Sequence, residues 1–96
     1  MSVPHLNHQH LRVLEEIFKH PVPHNLEWPD VFHLIEHLGS GLERHDGKYE
    51  FKVGDVTEVF TKPQHKDMQP DDVTRLRKML AQAGVSPDTV QKDPKA

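Results

Sequence analysis

The chain contains no cysteine, which excludes disulfides, thiol nucleophiles and thiolate-bound metal in one step. It is also poor in apolar residues, at 34% of 96, with one tryptophan and one tyrosine. One thin core is all that such a chain can build. No apolar run approaches the ~20 residues needed to cross a bilayer. The opening Met1-Ser-Val-Pro-His-Leu-Asn-His has neither the basic start nor the apolar stretch of a secretory leader. A cytoplasmic protein with no membrane partner is the expectation. A basic surplus is missing too: twelve Lys and Arg face fifteen Asp and Glu, for a formal net charge of −3. Phosphate contacts supply most of the non-specific affinity of nucleic-acid binders, so tight sequence-blind binding is disfavoured and local contact stays open.

Proline and histidine are plentiful instead, at eight and nine residues. Asn7 caps a predicted first helix that runs to about Lys19, with Leu11, Leu14, Ile17 and Phe18 as its apolar stripe. Pro21 and Pro23 end it and stiffen the connector that follows. A second helix starts around Pro29, with Asp30 on the positive end of its dipole and Val31, Leu34, Ile35 and Leu38 on its buried face. Gly39 is its expected stop. Trp28, just before it, is expected to fold back over the apolar face.

Three strands come next: Leu42 to His45, then Lys48 to Val53, then Val56 to Thr61. Asp46-Gly47 and Gly54-Asp55 supply the turns. Tyr49, Phe51 and Val53 alternate with Lys48, Glu50 and Lys52, the period of a half-buried strand. Gln69-Pro70-Asp71-Asp72 opens a last helix with Val73, Leu76, Leu80 and Ala83 as its stripe and Gly84 as its end. From Ser86 the chain reads as a polar, frayed tail. The fold class is therefore α+β: a three-stranded antiparallel sheet with two helices on one face, plus an extra N-terminal helix. The chain divides into a helix and Pro-rich connector over 1–24, a domain over 25–86 and a tail over 87–96.

This order of elements resembles the HicA family of toxin–antitoxin ribonucleases, whose fold is like a double-stranded-RNA-binding domain. The resemblance is carried by His37-Leu-Gly39, Asp46-Gly47, Pro63-Gln-His65-Lys-Asp-Met68 and Leu80-Ala-Gln-Ala-Gly84-Val-Ser86, and covers roughly Asp30 to Ser86. It implies a metal-independent endoribonuclease, an RNA substrate and a cognate antitoxin. In that family the catalytic histidine follows the hairpin glycine on the second strand. Aligning on Phe51 puts Lys48 there, and aligning on Gly47 puts Tyr49 there; neither register gives a histidine.

Other histidines can supply the missing base. With the strands alternating in direction, His45 and His65 fall at the same end of the sheet, their backbones ~10 Å apart across one strand. Flanked by Lys48 and Lys66, they form an inventory for base and acid on an RNA 2′-hydroxyl and its leaving oxygen. The catalytic candidates are thus Lys48, His45 and His65. Tyr49 and Trp28 are candidates for stacking on bases, with packing the plainer role for Trp28. Lys66, Arg75, Arg77 and Lys78 are candidates for phosphate, against the plainer reading of a solvated face.

His33 and His37, four apart on a helix, can chelate an ion, and His20 with His24 can add to them. No third ligand is fixed by spacing, so no metal and no cofactor are expected. The stripe of the first helix must be buried somewhere. Packed on the body it is structural. Set against a second copy or a partner, it makes a homodimer or a non-catalytic interaction module on a HicA-like scaffold.

Overall fold

Helix α1 (His8–Ile17) begins where the Asn7 side chain accepts the His10 N–H at 2.8 Å. The computed structural model of the protein describes residues 5–92, so expectations for 1–4 and 93–96 lie outside it. Helix α1 stops two residues earlier than expected, before either proline. Arg77 takes the carbonyl at its end and one just past it: Nε donates to the Ile17 carbonyl at 3.0 Å and Nη2 to that of Lys19 at 3.0 Å. A tertiary contact thus satisfies what a longer helix would have satisfied internally.

Helix α2 (Trp28–Leu38) includes Trp28 as its first residue rather than following it. The indole packs down onto the sheet, 5% exposed, with its ring centroid 5.4 Å from Phe51 and 5.2 Å from Tyr49. Strand β2 (Ser40–Glu43) starts two residues before the expected Leu42 and ends before His45. The reason is Gly39: a Cβ there would collide with the Lys52 carbonyl, so the helix end can lie directly against the neighbouring strand and no linker is needed. Residues 44–47 become the hairpin loop, in which Gly47 has φ +81° and the Arg44 N–H donates to the Lys48 carbonyl at 2.7 Å.

Strand β3 (Lys48–Val53) and strand β4 (Val56–Thr61) fall where the alternation placed them. The sheet order is β2-β3-β4, antiparallel throughout, with Tyr49 opposite Glu43 and Phe60, and Phe51 opposite Gly41 and Glu58. Phe51, Val53 and Phe60 are buried on the face that α2 and α3 (Pro70–Gln82) cover. Lys48 and Lys52 are exposed on the other face, with Glu50 half-buried between them.

The fold is therefore α+β, a three-stranded antiparallel sheet with helices on one face and an additional N-terminal helix. That first helix shares the single core: Val13, Leu14 and Ile17 are buried in one cluster with Val31, Leu34, Leu76 and Leu80. Its stripe is covered within the chain. Leu26, Met68, Met79 and Val85 join the same cluster, although none of them lay on an apolar stripe read from the sequence.

The expected frayed tail is corrected as far as residue 92. Val85 is buried and Val90 packs on the core. Thr89 ties the turn by donating to the Gly84 carbonyl at 2.9 Å and accepting the Ser86 N–H at 2.8 Å. Strand β5 (Gln91–Lys92) then pairs in parallel with β1 (His5–Leu6). Polarity hid this because only two valines carry the segment's packing.

Candidate functional site

The connector before α2 and the loop after β4 hold each other in place. The Trp28 N–H donates to the Lys66 carbonyl at 2.7 Å, and the Met68 N–H donates to the Leu26 carbonyl at 2.8 Å. Glu27 and Asp67 form the bridge between these two bonds. Buried Leu26 and Met68 anchor the two segments from below. The tie sets the 62–66 loop beside the start of α2 and opens a groove of about 380 Å³ between them.

Trp28, Phe32 and Tyr49 form the aromatic wall of this groove, and Lys62, His65 and Lys66 stand on its loop side. Phe32 meets Tyr49 edge-on with ring centroids 5.5 Å apart. Both rings are half-buried, so each keeps a surface open to the groove while the other side supports it. Burial raises the pKa of the Tyr49 hydroxyl, and the nearby Glu43 carboxylate, which also accepts its hydrogen bond, raises it further. The phenol therefore stays protonated. The surface combines flat apolar rings with exposed cations, a combination able to stack a planar group and attract an anion.

Of the residues singled out in the sequence, Trp28, His33, Tyr49, His65 and Lys66 are brought together here. Lys48 and His45 are not. Successive strand residues point to opposite faces, so Lys48 lies on the open side of the sheet while Tyr49 faces the helices. The two alignments with the HicA pattern thus lead to opposite faces of one sheet. His45 lies in the hairpin loop and lines a separate shallow depression with Leu42, Glu43, Arg44 and Asp46.

On α3, Arg75 is engaged structurally. Its Nη2 donates to Glu58 Oε1 at 2.8 Å and to the Val59 carbonyl at 2.9 Å, and its guanidinium sits 4.6 Å from the centre of the Phe60 ring. Arg77 is held by α1, as described, with Nη1 3.2 Å from His20 Nε2. Lys78 is exposed. Sequence reasoning missed Phe32 and Lys62 as groove residues. Phe32 sits one position from Val31 and reads as off the helix stripe, and Lys62 follows a strand end with no pattern to mark it.

The histidines of α2 meet α1. The His10 ring lies 4.6 Å from that of His37, and His10 Nδ1 is buried without a hydrogen-bond partner. Among the described residues, no group of three or more His, Asp or Glu is arranged to hold a metal ion. No helix among them is long and apolar enough to cross a membrane.

No protein-family model, no curated protein and no solved structure matches this chain.

Proposed function

We propose that this protein is a HicA-like, RNA-associated domain of the cytoplasm that holds an unpaired stretch of RNA in the groove between α2 and the 62–66 loop. The groove's wall of Trp28, Phe32 and Tyr49, faced by Lys62 and Lys66, carries the proposal. A base stacks on Tyr49 and Phe32, and the adjoining phosphates meet the two lysines. Two phosphate contacts suit a chain of net charge −3, because the attraction is local. In the toxin-type ribonuclease form of this reading, His65 is the base, since it alone of the three catalytic candidates shares the groove with Tyr49 and Lys66. A cognate antitoxin would then cover this same groove. The alternative, a non-catalytic interaction module, is favoured by the net acidity and by the separation of Lys48 and His45 from the groove.

Trp28 is the only tryptophan, so its fluorescence reports on the groove directly. Titration with a mixed-sequence single-stranded RNA in chelator should change that fluorescence. The logarithm of affinity should fall with that of salt with a slope of about −1.4, as two phosphates on a single strand require. Tyr49→Ala should weaken binding roughly 5- to 150-fold, the range for one lost base stack. Cleavage abolished by His65→Ala, and left unchanged by His45→Ala and Lys48→Ala, would identify a ribonuclease centred on the groove. If RNA neither alters the emission nor binds at low salt, the RNA reading is wrong and the interaction module replaces it.

A further inference from the structure

We propose that the free edge of β2 pairs with the β2 edge of a second copy of this chain, joining two three-stranded sheets into one continuous six-stranded sheet. The pairing follows from which backbone groups the strand leaves unused. The Arg44 N–H donates to the Lys48 carbonyl, and Arg44 stands opposite Lys48 in the continued register of β2 and β3. In an antiparallel ladder the residues that exchange hydrogen bonds alternate along the strand. Ser40 and Leu42 therefore also bond inward to β3, while the N–H and C=O groups of Gly41 and Glu43 point away from the sheet. The same alternation carried across β3 directs the Val59 carbonyl of β4 outward, where Arg75 takes it at 2.9 Å. On that edge one outward carbonyl is thus taken by a side chain. No such cover lies over Gly41 and Glu43 among the described residues.

Only one register of two antiparallel β2 edges satisfies both the backbone and the side chains. With Leu42 opposite Leu42 of the second copy, Gly41 faces Glu43 and Glu43 faces Gly41, and these are the residues whose outward groups are free. Each of the two pairs then exchanges two hydrogen bonds. Leu42 meets Leu42 at the position without hydrogen bonds, where side chains approach most closely. Leu42 is 61% exposed and is the one large exposed hydrophobic residue among those described, so the pairing buries the side chain that the monomer leaves in water.

Gly41 matters on the helix side. The Phe32 ring already lies 3.1 Å from where a Cβ would stand, and the absence of one leaves room for the opposing Glu43. A slip of two residues in one direction sets Glu43 directly against Glu43, a like-charge pair. In the other direction it leaves Leu42 opposite Ser40. A slip of one residue mismatches the faces. Four residues make a short interface, so the dimer is weak and reversible.

The absence of native cysteine makes the test clean. Leu42→Cys in the full chain should oxidise to a disulfide-linked dimer. Thr57→Cys, on the same open face but on β4, is the control and should crosslink more slowly. Sedimentation of the wild type up to about 1 mM should show a monomer–dimer equilibrium. Leu42→Lys should weaken it by at least about tenfold, through the loss of two buried leucines and the gain of two facing charges. A wild type that stays monomeric throughout, a dimer that Leu42→Lys leaves intact, or equal crosslinking at positions 42 and 57 would each overturn the proposal.

Discussion

The two edges of the sheet differ in how they are finished. Strand β4 runs beside α3, and Arg75 reaches from that helix to accept both tasks an edge presents. It satisfies an outward carbonyl on Val59 and lays a cation over the Phe60 ring. Strand β2 follows α2 after a single glycine, and among the described residues no side chain bonds to its outward groups. A helix that arrives directly from its own strand's start has no residues left with which to cover the edge. At β4 the protection comes from a side chain of the neighbouring helix, whereas β2 relies on its short length and on the charge of Glu43. The bare edge is also the shorter, at four residues against six.

The largest expected effect comes from removing what the two edges share. Phe51 is fully buried on the central strand, stacked under Trp28 and 5.2 Å from Phe60. Phe51→Ala should cost about 3–5 kcal/mol in urea unfolding, a large part of a small domain's total stability. A loss below about 1 kcal/mol would mean that the core is organised elsewhere.

Arg75→Ala tests the covered edge. Its ion pair with Glu58 is exposed and contributes little by itself. The lost carbonyl bond and ring contact should cost about 1–2 kcal/mol in the same assay. The variant should also associate more strongly at high concentration, because β4 then resembles β2. An unchanged midpoint and unchanged association would show that Arg75 does not guard that edge.

The smallest effect is on the α1–α2 seam, away from both edges. Burial, followed by the neighbouring His37 and His33 imidazoles, lowers the pKa of His10 from its usual 6.5. The unfolded chain takes up this proton near pH 6.5, and the folded chain only at lower pH. The stabilisation is therefore complete above pH 6.5 and is lost progressively as pH falls through the folded value. Unfolding midpoints measured between pH 7.5 and 5 should decline, and His10→Leu should flatten that decline. A His10→Leu profile parallel to the wild type would assign the titration to other groups.

Much of the fold was legible because it rests on local periodicity. The alternation from Lys48 to Val53 placed β3, and the glycine turns placed its neighbours. Asn7, Pro29 and Pro70 marked helix starts through rules that act within one turn. The start of β2 was misjudged because Gly39 is required by contact with Lys52, thirteen residues on. The candidate site was partly legible: Trp28, Tyr49, His65 and Lys66 stood out by residue type, while Phe32 and Lys62 did not. Lys48 and Tyr49 were alternatives for a single position in the HicA pattern, and alternation in a strand sends them to opposite faces.

By itself, then, the sequence determined the α+β class, the order of the three helices and the three strands of the main sheet, and the exclusion of thiol chemistry, since each follows from composition or from residues within a few positions of one another. The tertiary structure alone decided that α1 is part of the core and that Arg75 and Arg77 serve as ties. It also decided that Trp28 is locked beside Lys66 to make a groove. Those contacts join residues 16 to 60 positions apart. Chain separation on that scale leaves no periodic trace, because the partners are chosen by how the faces pack and not by where they lie in the chain.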